Sequence, residues 1–557
     1  MQTTSPDIIS KYVKAGWWGE VTLNSIFESA VKDNPNSLAI CDPINRDKMV
    51  SGDTLRLSFS ELEAHVEHIA HCLYENGLRK NDKVILQMPN VVEIVLVYLA
   101  ASRLGLIISP VAIEYGHHEL KFIGDIIKPK AYIAFKEFKN LDFGNIQGAI
   151  FEKSCRVLLF GVEGDFGIKD QGFEEYLKYK NSIKVEANDI MTICWTSGTT
   201  GRSKGVPRSH NHWLSSTLAS EDAIRLKNGA VMLNPFPFIN MAAIGGFLFY
   251  WLKLRGRLIL HHPFDPNVYL EQIQNEKVEY TIAPPAVLTR LLQIKEQIKA
   301  NFDLSSLRVI GSGSAPLSKE MVKGFEDEFD VNIINIFGSN EGMAILSSPS
   351  DVPDPELRAS FFPRFGRHEF KWDNRISKQI KTKLIDLETG VEIVEPSTPG
   401  ELLISGATVF DGYYESPKDN KEAFSIDGYF RSGDLFEISD ENNQFYKFVG
   451  RCKSLIVRGG VNISPEELDE LISSHENIAE AVVVAYPDNI MGEKICAVLV
   501  PHENKVVTLL DICSYLEEKK VAKFKWPERL LTIKALPRNA MNKVVRSELA
   551  KLIKHDN

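Results

Sequence analysis

Thr196-Ser197-Gly198-Thr199-Thr200-Gly201-Arg202-Ser203-Lys204-Gly205 follows the apolar run Ile190–Trp195, and this junction decides how the chain is read. Hydroxyls and glycines at this density let backbone N–H and side-chain O–H groups wrap phosphate oxygens. Lys204 adds a positive charge. The common P-loop is excluded, because no glycine directly precedes the lysine and no Ser or Thr follows it. By composition alone the stretch also fits a Gly/Ser surface linker, so the flanking chain has to decide.

On either side, roughly the first 350 residues alternate helical and strand-like patterns, which predicts parallel sheets covered by helices. Ser60 with Glu63 reads as a capping box opening a helix. Leu62, Val66, Ile69 and Leu73 form its apolar stripe and Gly77 its stop. Val84-Ile85-Leu86 reads as a buried strand, and another helix follows Pro89-Asn90. The apolar stretches Ile94–Ala112, broken by Arg103 and Pro110, and Met241–Leu252 are too interrupted or too short to span a bilayer and are expected in the core.

From about residue 370 the texture changes to strand-like runs, Ile380–Ile385, Gly400–Ile404 and Gln444–Val449, separated by turn clusters; this predicts a β-rich subdomain. After Gly450 comes a segment of about one hundred residues, the size of one domain. There Ser464-Pro465-Glu466-Glu467 opens a helix, and Ala481–Ala485 and Cys496–Pro501 read as strands. The expected fold is α/β: a large N-terminal domain, 1–450, of helix-covered sheets plus the β-rich subdomain, and a small α/β C-terminal domain, 451–557.

Bulk properties narrow the function. A 557-residue chain with 44% hydrophobic and 25% charged residues can bury large cores without staples. A net charge of −10 without long basic runs argues against a nucleic-acid partner. Seven scattered cysteines without a CxxC pair read as reduced thiols, and the first residues lack a signal-peptide pattern, so a cytoplasmic location is expected. No Ser-His-Asp or Cys-His constellation is recognisable, and the thirteen histidines show no metal-ligand spacing.

Four further motifs stand downstream in order: Gly311-Ser312-Gly313-Ser314-Ala315-Pro316-Leu317; Ile336-Phe337-Gly338-Ser339-Asn340-Glu341-Gly342; Tyr429-Phe430-Arg431-Ser432-Gly433-Asp434-Leu435; and Gly450-Arg451-Cys452-Lys453-Ser454 with Gly459-Gly460. Together with the opening junction and Leu536–Lys543, they resemble the acyl-adenylate-forming superfamily of acyl-CoA and aryl-CoA ligases, luciferases and peptide-synthetase adenylation domains. The resemblance spans about residue 20 to about residue 553 and is nearest the carboxylic acid–CoA ligases.

It implies ATP and Mg²⁺, coenzyme A as co-substrate, and a mobile C-terminal lid. Thr196, Ser197, Gly198, Thr199, Thr200 and Lys204 would hold the phosphates. Ser314, Ala315, Pro316, Phe337, Gly338 and Ser339 would contact the adenine. Glu341 would hold Mg²⁺, a hard cation suited to carboxylate oxygen. Asn340 stands where relatives carry a threonine that touches the α-phosphate, and an amide can still donate there. Asp434 would meet the ribose, and Arg451 the ribose and phosphate. Ser454 falls at the hinge, where aspartate or lysine is usual, and Gly459 and Gly460 at a thiol channel. Lys543 falls at the catalytic lysine, with Asn542 replacing the usual glycine.

The acid pocket of such enzymes involves the segment matching Phe236–Met241, which places Asn240 and Met241, with Gly311 and Gly342, around the substrate. Its apolar, small residues suit a fatty or aryl acid, and it contains no carboxylate to pair with an amino group. Ala15-Gly16-Trp17-Trp18-Gly19-Glu20 resembles the opening of aryl-acid-activating relatives. Three readings stay open: transfer of the acyl group to coenzyme A, loading of a carrier-protein phosphopantetheine, and nucleotide binding with little catalysis.

Overall fold

The structure, a computed structural model, describes residues 1–151, 153–162, 166, 172–196, 203–452, 456–458, 461–488, 491–519, 521, 523–539 and 543–555. By its internal contacts the chain divides into Met1–Thr382 with Ile404–Phe430, and Lys383–Leu403 with Arg431–Asn557.

The first unit holds two twisted sheets. In one, six strands run in the order Arg156–Phe160, Ala131–Phe135, Lys83–Gln87, Ile107–Pro110, Ile190–Thr196 and Lys204–Ser209. The pairs from Arg156–Phe160 through Ile190–Thr196 are parallel, and Lys204–Ser209 closes the edge antiparallel, with Thr196 opposite Lys204. The other has eight strands, in the order Ala344–Ser347, Asn332–Gly338, Val309–Gly313, Tyr280–Ile282, Val231–Asn234, Arg257–Leu260, Leu38–Cys41 and Arg56–Ser58. Its inner pairs are parallel and its two edges antiparallel. Continuous apolar strands such as Ala131–Phe135 are buried along their whole length, as sheets covered on both faces require.

The helix expected from Ser60 begins two residues earlier. Phe59–Glu75 is capped by Ser58, whose hydroxyl accepts from the Glu61 N–H while the Glu61 carboxylate accepts from the Ser58 N–H. Both Ser58-x-x-Glu61 and Ser60-x-x-Glu63 fit a capping box. The earlier one wins because Phe59 is fully buried as part of the helix, and Glu63 is drawn instead to Arg103, 2.7 Å away. Leu62, Val66, Ile69 and Leu73 are buried as the stripe predicted, and Gly77 follows the helix with φ +78°.

Both membrane-like stretches lie in the core. Val92–Leu104 is buried on every side, and Met241–Leu254 is broken into three short helical pieces, Met241–Ala243, Ile244–Leu248 and Phe249–Leu254. Among the described residues no helix is long and apolar enough to cross a membrane. The stretch after residue 350, which departs from the family pattern, is anchored by Arg358. Its buried guanidinium donates to the carbonyls of Ile333, Val352 and Pro353 and to Glu326.

In the second unit Phe430–Ile438 and Phe445–Arg451 pair antiparallel, as do Ile380–Ile385 and Glu392–Ile393 where these strands enter it. The C-terminal sheet contains Val461–Ile463, Ile456–Arg458, Gly492–Pro501 and Ile478–Asp488, with Arg529–Thr532 added parallel to Gly492–Pro501. Pro465–Ser473 is capped by Ser464 as the sequence predicts, and Leu468 and Ile472 seal the sheet with Ile512 and Leu516.

Candidate active site

Parallel sheets gather ligands at the carboxyl ends of their strands, and three of the predicted motifs fall there. Thr196 ends one strand; the turn Gly313–Leu317 and Phe337–Gly342 end two neighbouring strands of the other sheet. Gly313 lies directly opposite Ile336, so the exposed turn Ser314-Ala315-Pro316 and the half-buried Phe337 ring are brought side by side. Ser314 takes φ +71°, and Phe337 meets Phe362 edge-on at 5.9 Å. Gly311 is buried one step deeper, where a Cβ would sit 2.8 Å from Ile336 Cδ1 and 3.2 Å from the Tyr280 hydroxyl.

Asn340 joins three pieces of this mouth. Its Oδ1 accepts from the Met241 N–H at 2.9 Å, and its Nδ2 donates to the Trp195 carbonyl, next to Thr196, at 3.4 Å. An amide nitrogen carries two hydrogens, so one donor is left over. Asn240 caps the short helix that follows it, its Oδ1 accepting from Ala242 and Ala243. The preceding loop is pinned from below: the Phe236 carbonyl accepts from Asn90 at 2.6 Å and the Phe238 carbonyl from Tyr98 at 2.6 Å.

Glu341 is 8% exposed. Its Oε1 accepts a 3.0 Å hydrogen bond from the Tyr413 phenol, and its carbonyl accepts from the Phe410 N–H at 2.9 Å. Burial, reinforced by the Glu341 charge, pushes the Tyr413 phenol well above its ordinary pKa, so it stays a donor. Lys204 lies over the Tyr413 ring, its Nζ 4.7 Å from the ring centre and 2.9 Å from Asp419. Hydrogen bonds from Ser416 and Lys204 keep the Asp419 carboxyl below the usual range. Gly342 has φ +107°, and a Cβ there would lie 1.9 Å from the Thr408 carbonyl oxygen. Only glycine lets the turn press this closely on the following loop.

Arg208 is buried behind that turn. It donates to the carbonyls of Asn340 at 2.8 Å, His212 at 2.8 Å and Thr408 at 3.0 Å, and to the Ser216 hydroxyl at 2.7 Å. Burial lowers its pKa to about 10, which leaves it charged near neutrality. Arg208, Tyr413, Asp419 and Asp411 were not singled out by sequence reasoning. The one available signal was an arginine inside the otherwise apolar Val206-Pro207-Arg208 strand.

No salt bridge forms to Glu341 among the described residues. The buried Arg208 guanidinium lies within electrostatic reach of Glu341 but makes no salt bridge to it, so the buried carboxylate is only partly compensated. Mg²⁺ takes one or two carboxylates plus phosphate oxygens. The residues therefore fit that ion. No group of three or more His, Cys, Asp or Glu side chains among the described residues is placed to hold a metal by itself.

In the second unit Asp434, 4% exposed, stands directly across the strand pair from Arg451, with Oδ1 and Nε 3.1 Å apart. Lys543 is exposed; its N–H donates to Asn539 Oδ1 and its carbonyl accepts from the Asn539 N–H. Ser197, Gly198, Thr199, Thr200, Ser454, Gly459, Gly460 and Asn542 lie outside the described residues.

Residues 27–414 match the family model for AMP-binding enzymes, and residues 467–543 match that for the AMP-binding enzyme C-terminal domain. The chain belongs to the AMP-binding enzyme family, within the acyl-adenylate-forming superfamily. It is 27% identical to pyochelin synthase PchD of Pseudomonas aeruginosa over 98% of this chain and 95% of that protein. It is 26% identical to the 2-hydroxy-7-methoxy-5-methyl-1-naphthoate–CoA ligase of Streptomyces carzinostaticus over 98% and 95%. Among solved structures, ATP-bound MatB from Rhodopseudomonas palustris superposes with a TM-score of 0.78 at 26% identity, covering 96% of this chain and 99% of that one.

Proposed function

We propose that the protein uses ATP to convert a hydrophobic fatty or aryl carboxylic acid into its acyl adenylate, releasing pyrophosphate, and then transfers the acyl group to coenzyme A. The observation that carries this reading is the buried Glu341 carboxylate, in salt bridge with no described cation yet joined through Tyr413 to Lys204 at the end of the Thr196 strand pair. That arrangement suits a site built to complete itself around a metal-bound polyphosphate.

A carboxylate is a poor electrophile, so a leaving group must be installed. The acid's oxygen attacks the α-phosphorus and pyrophosphate departs. Both reactants are anions, so positioning and charge neutralisation carry the catalysis. Mg²⁺, when bound at Glu341, supplies charge neutralisation to the phosphates. Thr196 through Lys204 binds the β- and γ-phosphates, Ser314–Pro316 and Phe337 the adenine, the remaining Asn340 hydrogen the α-phosphate, and Asp434 and Arg451 the ribose. Lys543 offsets charge in the transition state.

The acid lies beside Asn240, Met241, Gly311 and Gly342, a wall with a neutral amide and no carboxylate. This favours an aryl or acyl acid over an amino acid. The naphthoate-activating relative supports an aromatic substrate and coenzyme A as acceptor. For the second step, the region from residue 451 onward acts as a lid turning at Ser454, with Gly459 and Gly460 lining the thiol's path.

The test is carboxylate-dependent pyrophosphate release across fatty, aryl and amino acids, with and without coenzyme A. Release with one fatty or aryl class, accelerated by coenzyme A and accompanied by thioester, is expected. Release that coenzyme A does not accelerate, with no thioester, contradicts the acceptor; release only with amino acids contradicts the pocket.

A further inference from the structure

The first twenty residues lie ahead of the matched AMP-binding region, which begins at residue 27. They are not a loose leader. The Thr3 and Thr4 hydroxyls both donate to Asp411 Oδ2, at 3.1 and 2.5 Å. The Trp18 indole N–H donates to the Ala407 carbonyl and the Ser215 hydroxyl, each at 3.2 Å. Trp18 is 4% exposed, packs edge-on against His212 at 4.9 Å, and is backed by Tyr12 at 4.9 Å. Gly19 exchanges two hydrogen bonds with the Asn211 side chain.

What this strap holds is the loop that holds Glu341. Along residues 407–413 the contacts interleave. Ala407 is tied to the strap, Thr408 to Arg208, Phe410 to the Glu341 carbonyl, Asp411 to the strap, and Tyr413 to the Glu341 carboxylate. Arg208 closes the other side by gripping the carbonyls of Asn340 and Thr408 together. Asp411 itself reaches no part of Glu341. A side chain so placed acts on the site through others: it fixes the loop between two residues that touch Glu341, and its charge faces Arg208, which grips that loop from the other side.

We propose that the N-terminal strap is a positioning element for the metal-binding carboxylate, with Thr4, Trp18 and Asp411 setting the orientation of Glu341 through the 407–413 loop. The proposal rests on the assignment of Glu341 to the metal–nucleotide complex, and its test separates the two. In the full chain, binding of an ATP analogue with a non-cleavable α–β bridge is followed by calorimetry over a Mg²⁺ series and in EDTA. The variants are Thr4→Val, isosteric, with Trp18→Phe, which keeps an aromatic ring of smaller size, together removing three hydrogen bonds; Asp411→Asn; and Lys14→Ala, on the exposed face, as a control.

At about a factor of 5 for each hydrogen bond lost, and with part of the loss absorbed by the loop, the strap variants should need about 5- to 20-fold more Mg²⁺ for half-maximal binding. Their affinity in EDTA should match wild type, and Lys14→Ala should not shift. Wild-type binding that ignores Mg²⁺ contradicts the assignment of Glu341. A Mg²⁺-dependent wild type with strap variants that track it contradicts the strap. Equal loss of affinity with and without Mg²⁺ reduces the strap to general structural support and equally overturns the proposal.

Discussion

Tyr413 stands between the two charges of the first unit's site: its hydroxyl donates to Glu341 at 3.0 Å while Lys204 lies 4.7 Å from its ring centre. Lys204 forms its salt bridge with Asp419 rather than with Glu341, whose carboxylate takes the phenol instead. Tyr413→Phe removes only the hydroxyl. A hydrogen bond to a charged group contributes about 1.5–3 kcal/mol, so kcat/KM for pyrophosphate release should fall about 10- to 100-fold. A higher Mg²⁺ requirement should accompany the fall, read from an activity titration.

Lys543→Ala should separate the half-reactions. Adenylate formation should drop by roughly 100- to 1,000-fold, the range for removing one charge-stabilising group from a transition state. Thioester formation from supplied acyl-AMP should stay within a few-fold of wild type. Rapid-quench measurement of both steps decides the point, and an adenylation rate near wild type would sink the assignment.

Gly342→Ala places a Cβ 1.9 Å from the Thr408 oxygen at φ +107°. Overpacking against backbone and left-handed strain together should cost at least about 3 kcal/mol. The expected reading is a lowered urea midpoint or failure to accumulate folded protein. Gly246→Ala meets nothing within 4 Å and should be tolerated.

Burial lowers His210 to about 4, and its Nδ1 accepts from the Leu23 N–H in the neutral form. Its folded pKa lies below the unfolded value of 6.5, so the contribution is complete above pH 6.5 and is lost as pH falls towards 4. Over that window the loss amounts to about 3 kcal/mol. His210→Asn keeps an acceptor but does not titrate. Wild-type stability minus variant stability, from urea unfolding at pH 7.5 and 5.5, should shrink as pH falls; a constant difference would contradict the buried neutral imidazole.

The strands and motifs that write themselves locally were legible in the sequence. Val84–Leu86, Ile380–Ile385 and the Ser464 cap stand where periodicity and capping chemistry put them. The Ser60 expectation slipped by two residues because two overlapping Ser-x-x-Glu boxes compete, and only burial of Phe59 breaks the tie. Motif order brought out Glu341, Asn340 and Lys204, but not what holds them. Arg208 acts on carbonyls at 340 and 408, and Thr4 on a carboxylate at 411. No spacing encodes contacts between residues so far apart in the chain. Asn340 and Asn240 read as departures from the family pattern, whereas their amide oxygens serve the scaffold, accepting from Met241 and from Ala242 and Ala243.

The central claim is that the acid's own oxygen attacks the α-phosphorus of ATP. It is tested most directly by supplying the preferred acid with an ¹⁸O-labelled carboxylate and analysing the products of a full turnover by mass spectrometry. Acyl-adenylate chemistry predicts one ¹⁸O atom in AMP and none in pyrophosphate. Label in inorganic phosphate with ADP as co-product, or turnover that leaves AMP unlabelled, would contradict it.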